Sequence, residues 1–135
     1  MLNSGCTNHM TRERSMFSSY SPMTHSNENI VFGDNSKGDV IGLDKVAITL
    51  EHSIINVLHV DSLIYNLLSI SQLCEMDYNC LFTDKGVEVS KRKDSFIVFT
   101  GRLKNKLYLV DFNKSEAKLE TCLVAKSSIG WLWHR

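Results

Sequence analysis

Apolar and polar positions alternate in short, strand-sized bursts along most of the chain. Ile30-Val31-Phe32 runs into Gly33-Asp34-Asn35-Ser36-Lys37-Gly38 before Val40-Ile41 resumes the apolar pattern, which predicts a hairpin. Residues 46–50 alternate and predict a strand, and residues 54–60 predict another after the polar break Glu51-His52-Ser53. Cys80-Leu81-Phe82 and Val87-Glu88-Val89 flank Asp84-Lys85-Gly86 as a second hairpin. Residues 95–99 and 106–112 make a last strand pair across a turn at 101–105. One helix start stands out. Ser69-Ile70-Ser71-Gln72 has the form of a capping box, opening the short run Leu73-Cys74-Glu75-Met76. Residues 1–28, rich in Ser, Asn and Met and punctuated by Pro22, read as weakly ordered loop. The expected fold class is mainly β with one short helix after the midpoint.

Composition narrows the function classes. The 135 residues fit one domain of ordinary size, and 43% hydrophobic residues suffice for a core. Fifteen Lys and Arg balance 15 Asp and Glu, which argues against a nucleic-acid module. The basic clusters Lys91-Arg92-Lys93 and 102–106 have acidic neighbours and read as solvated turns. No secretory signal opens the chain, and no apolar run approaches the roughly 20 residues a membrane helix needs. The most apolar stretch, 54–73, is broken by Asn56, His59, Asp61 and Asn66. An intracellular protein of the cytoplasm or nucleus, with no membrane partner, is the expectation. Its four cysteines are then expected as reduced thiols.

Candidate chemistry from residue types alone is thin. Cys6, His9, Cys74, Cys80, Cys122 and His134 are zinc donor types without a ligand spacing among them, so no metal and no cofactor is expected. A Cys6/His9 nucleophile and base pair lacks an orienting third group. Gly33, Gly38 and Gly42 lack the strand–loop–helix setting of a phosphate loop.

The segment Leu2-Asn3-Ser4-Gly5-Cys6-Thr7-Asn8-His9-Met10 is more specific. It resembles the start of the protease region in plant copia-type retrotransposon polyproteins, where Asp-Ser-Gly-Cys is followed by a His-Met pair. Val31-Phe32-Gly33-Asp34-Asn35, Ile55-Asn56-Val57-Leu58-His59-Val60, Asn66-Leu67-Leu68-Ser69-Ile70-Ser71-Gln72-Leu73 and Leu107-Tyr108-Leu109 resemble the same family in the same order. Trp133-His134-Arg135 looks like the opening of the pre-integrase zinc segment. The resemblance implies a retropepsin-like small β-barrel over 1–78, a β-hairpin-rich extension over 79–112 and a pre-integrase-like tail over 113–135.

The resemblance also implies roles. In such a protease two carboxylates about 3 Å apart share one proton, one activating water while the other donates to the scissile carbonyl. A chain with one motif borrows the second carboxylate from a twin. Asn3 would hold the catalytic position, with Ser4 and Gly5 completing the turn. Phe32, Gly33, Asp34, Asn35 and Gly38 would belong to a substrate-covering flap, and Leu67, Leu68 and Ser69 to the segment beneath the active-site loop.

Asn3 departs from that pattern. An amide is no general base, and loss of such a group costs roughly 10²–10⁴-fold in rate. Asn3 is either native to the chain or a deliberate inactivating change. The chain opens two residues before the turn and ends at His134-Arg135, so a shortened, genomic fragment of an element is expected. Two function classes follow: a polyprotein-processing aspartic endopeptidase silenced by Asn3, or a co-opted, non-catalytic protein-interaction module. The expected partners are a second copy in a weak homodimer, another protein, or a polypeptide substrate if active.

Overall fold

The computed structural model describes residues 8–23, 29–31, 37–49, 51–105, 107–110 and 120–124. Among the described residues, eleven strands and one helix run in the order β1 (His9–Thr11), β2 (Phe17–Pro22), β3 (Asn29–Val31), β4 (Lys37–Ala47), β5 (Ser53–Val60), β6 (Asn66–Ser69), α1 (Ile70–Glu75), β7 (Tyr78–Phe82), β8 (Gly86–Lys91), β9 (Ile97–Lys104), β10 (Leu107–Val110) and β11 (Thr121–Val124). A 3-10 turn, Arg14–Met16, leads into β2. The fold is mainly β with one short helix, as the alternation predicts.

The strands form one hydrogen-bonded path, β2-β4-β5-β1-β6-β11-β10-β9-β8-β7, with β3 added alongside β4. The path is open: β2 and β7 stand at its two ends, so the described strands do not close on themselves. Most neighbours are antiparallel. The exceptions sit at the centre, where β1 runs parallel to β5 and β11 runs parallel to β6. The strands that follow residue 78 therefore continue the same path, reached through β11.

Both faces of the central strands are buried. Val57, Leu68, Val110 and Leu123 enter one core cluster. Their chain neighbours Leu58, Leu67, Leu109 and Cys122 enter a second one on the other side. Successive strand side chains point to opposite faces, so a doubled apolar pair such as Leu67-Leu68 is what a strand between two cores requires.

Several expectations need correction. Residues 1–28 are not loop throughout, because β1 and β2 both fall there. The strand expected at 46–50 is the end of β4, which runs on to Ala47 before a turn at Ile48 and Thr49. The turn expected at 101–105 lies later, since Gly101 sits within β9 opposite Val110. A Cβ at Gly101 would stand 2.7 Å from the Leu109 carbonyl oxygen, so this glycine admits close strand pairing rather than a reversal. The tail expectation missed β11 altogether. The hairpins β3–β4 and β7–β8, the strand β5 and the helix α1 lie where alternation and turn residues put them.

Candidate functional site

Asn3, Ser4, Gly5 and Cys6 lie outside the described residues, as do Phe32, Gly33, Asp34, Asn35 and His134. Gly38 is buried on β4 opposite Ile30. Leu67, Leu68 and Ser69 are buried on β6. There Leu67 pairs with Met10 of β1, the strand that follows the Asn3-Ser4-Gly5 segment in the chain. The structure thus brings 67–69 against His9-Met10, whereas β5 and β1 separate Gly38's strand from β6.

His9 is the hinge of this contact. Its side chain is 1% exposed, and its Nδ1 accepts the Ser69 backbone N–H at 2.9 Å. A backbone N–H only donates, so Nδ1 carries no proton and the ring is the neutral Nε2–H form. Burial pushes the His9 pKa down from 6.5 to about 3. This imidazole is a fixed acceptor at neutral pH.

Gln72 completes the contact from α1. Its backbone N–H donates to Ser69 Oγ at 3.2 Å, the expected cap bond. The capping box would send its side chain back to the Ser69 N–H, but His9 already occupies that donor. The Gln72 side chain instead accepts the His9 backbone N–H at 2.9 Å through Oε1. Its Nε2 donates to the carbonyls of Ile55 at 3.1 Å and Asn56 at 3.3 Å. Asn56 takes φ of 56°, a left-handed conformation that Asn tolerates better than most residues. One amide therefore ties β1, β5 and α1 together. A groove of about 270 Å3 opens beside it, walled by His9, Ile55, Leu73, Asp77, Tyr78 and Lys91 among others.

A second polar group is buried on the next turn of chain. Thr11 Oγ1 donates to Asn66 Oδ1 at 2.6 Å and accepts the Glu13 N–H at 3.0 Å. Asn66 Nδ2 donates to Glu13 Oε2 at 2.7 Å, and the Asn66 N–H donates to the Glu120 carbonyl at 2.9 Å. These bonds hold the β1 exit, β6 and the approach to β11 in one network.

The third group carries the aromatics. His59 Nε2 donates to the Arg12 carbonyl at 3.0 Å, so Nδ1 is the acceptor of the Tyr20 hydroxyl at 2.6 Å. Burial lowers the His59 pKa, with Arg14 acting in the same direction and the Arg12 carbonyl and Asp61 opposing it. The Arg14 guanidinium lies 3.9 Å over the Tyr20 ring. Gly42 lies under that ring, and a Cβ there would be driven into it.

Sequence reasoning named none of Gln72's cross-strand bonds, Thr11, Asn66, Glu13, Tyr20 or His59 as a site. The one available signal was polarity at buried strand positions: His9 and Thr11 flanking Met10, and Asn66 before Leu67-Leu68. The arrangement is chemically a support. It fixes β1 in register through one neutral imidazole acceptor, His9, and two buried amides, Gln72 and Asn66. Among the described residues no three His, Cys, Asp or Glu side chains converge to hold a metal, and no helix is long and apolar enough to cross a membrane.

Comparison with curated proteins and with solved structures finds no significant match. Residues 1–78 match a family described as Pol polyprotein, beta-barrel domain. That span holds β1 to β6, α1 and every side chain of the three polar groups, with only the Glu120 carbonyl contributed from beyond it. The chain belongs to this family of Pol polyprotein β-barrel domains, and is a segment of retroelement polyprotein origin.

Proposed function

We propose that this segment is the protease-like part of a copia-type polyprotein of plant origin, lying at the junction with the pre-integrase region. In this reading 1–78 is the protease-like unit, 79–112 its β extension, and 113–135 the start of the pre-integrase segment. The chain holds a polypeptide in the manner of an aspartic endopeptidase and does not cleave it, because Asn3 supplies an amide where acid–base chemistry needs a carboxylate. The observation that carries the reading is the packing of His9-Met10, which follows Asn3-Ser4-Gly5 after three intervening residues, on Leu67-Leu68-Ser69. A scaffold that fixes both segments is what a catalytic turn requires. A weak homodimer about that turn, in the cytoplasm or nucleus, completes the proposal, with no part for nucleic acid or membrane.

A second reading, a non-catalytic interaction module, draws on β7. This end strand has no described neighbour on its outer side, and Leu81 on it is 58% exposed.

Restoring the acid separates the two. Asn3→Asp is expected to cleave peptides and to be blocked by a pepstatin-type inhibitor, while the unaltered chain stays silent. A folded Asn3→Asp protein that self-associates yet cleaves nothing overturns the protease-like reading in favour of the second.

A further inference from the structure

The groove beside His9 borders a buried donor that no described residue meets. His9 is 1% exposed and spends its Nδ1 on the Ser69 N–H, which leaves its Nε2–H with no partner among the described residues. A buried N–H without an acceptor is rare in folded proteins, and an opening next to it is where an acceptor can reach it. The opening that His9 borders is the groove of about 270 Å3. Ile54 of β5 and Leu73 of α1 form part of its wall as buried core residues, and Met76, at the C-cap of α1, adds an exposed thioether. Lys91, the last residue of β8, and Lys93 stand on the same groove. Neither lysine has an ion-pair partner among the described residues. Asp77, the carboxylate among the described residues that lines the groove, is engaged by Arg92 at 3.3 Å. Lys91 is held by strand pairing opposite Tyr78 of β7, and its backbone N–H donates to the Phe96 carbonyl at 2.9 Å. One small opening therefore combines an apolar wall, a buried donor and two cations.

We propose that this groove binds a small apolar monocarboxylate, its carboxylate meeting the His9 Nε2–H and the two lysines while its body lies on Ile54, Leu73 and Met76. Size fits such a ligand. A cavity of about 150 Å3 holds a benzene ring, so about 270 Å3 admits one ring with a short acid arm. Charge sets the class. An imidazole N–H bonds any acceptor, whereas Lys91 and Lys93 without a carboxylate favour an anion, and a charge-assisted bond is the stronger one. An inorganic anion would meet the same lysines but leave the apolar wall in water, so the body of the acid distinguishes it. The site goes beyond the peptide reading and does not need a carboxylate at position 3, so a chain that cleaves nothing binds the acid equally.

Titration of the full chain with hydrocinnamate at neutral pH, followed by NMR of protein carrying nitrogen-labelled imidazoles, tests the site. Saturable binding with a Kd of about 1–10 mM is expected for a ligand of this size. The Nε2–H signal of His9 should move as the acid saturates, while its Nδ1 signal holds because the Ser69 bond is kept. The uncharged amide of the same acid is expected to bind about tenfold more weakly. Lys91→Gln combined with Lys93→Gln should weaken the acid about tenfold and leave the amide unchanged. Circular dichroism checks the fold of that pair, and Lys93→Gln alone, at an exposed position, should act in the same direction if the pair unfolds. Equal binding of acid and amide, or saturation that leaves the His9 Nε2–H signal unmoved, overturns the proposal. So does displacement of the acid by an equal concentration of inorganic phosphate. Tighter binding of a short acetylated peptide ending in phenylalanine overturns the small acid in favour of a polypeptide C-terminus.

Discussion

Ser69 donates its backbone N–H to the ring of His9 across 60 positions of sequence, at 2.9 Å. The bond makes the charge state of one imidazole a condition of strand pairing, because a protonated Nδ1 would face the N–H with a second hydrogen.

Stability is therefore expected to depend on pH with a definite sign. The folded pKa of His9 is lowered to about 3, below its ordinary 6.5, so between these values the unfolded chain binds the extra proton. The contribution is complete above about pH 6.5 and is lost as pH falls toward 3, at no more than about 1.4 kcal/mol per pH unit. The direction for His59 is the same. Urea unfolding at several pH values should show this fall, and His9→Asn, which keeps an acceptor near Nδ1, should flatten it.

Gln72→Ala is expected to strand the His9 N–H and the Ile55 carbonyl in the interior. Leaving buried polar groups unmatched costs about 1–3 kcal/mol each, so a loss of about 2–4 kcal/mol is expected in equilibrium unfolding. Gln72→Glu should do no better, since a carboxylate has no hydrogen to give the two carbonyls.

Gly42→Ala is expected to lose about 1–3 kcal/mol by pushing Tyr20 off His59. The cause is checkable by a double-mutant cycle. Removing the ring in Tyr20→Ala should leave the alanine room, giving a coupling above about 0.5 kcal/mol. Additive effects would place the cost elsewhere in β4.

Leu81→Lys is expected to change unfolding free energy by less than about 0.5 kcal/mol, because the side chain is 58% exposed. Its effect should appear in association. A charge on the end strand disfavours edge-to-edge pairing, so light scattering of concentrated samples should fall.

What was legible in the chain follows from how each element is buried. β5, β7 and β8 carry strand-length apolar runs, and Asp84-Lys85-Gly86 marks the turn between the latter two, so local pattern was enough. Ser69 announced α1 because capping is a local bond. β1 was illegible: it is three residues long, and its His and Thr become buried only because Ser69 and Asn66 are there to meet them. Gly101 misled because a missing Cβ serves close packing as well as turning. β11 offered a short run without alternation, with Leu123 toward one core and Cys122 toward the other, and its partner in β6 lies more than fifty positions upstream. The aromatic group failed for a like reason. Tyr20, Gly42 and His59 look unrelated until β2, β4 and β5 are side by side.

The placement of β11 has a kinetic consequence. The strand that joins β6 to β10 is the last described one, so a growing chain that has emitted only the first hundred residues holds two half-sheets that share core side chains but that no strand yet joins. Parallel insertion of Thr121–Val124 beside Asn66–Ser69 closes a long loop, a contact whose entropy must be overcome before its burial is rewarded. Folding should be slow for this topology, with β6 and β10 exposed as open edges until Thr121–Val124 is in place.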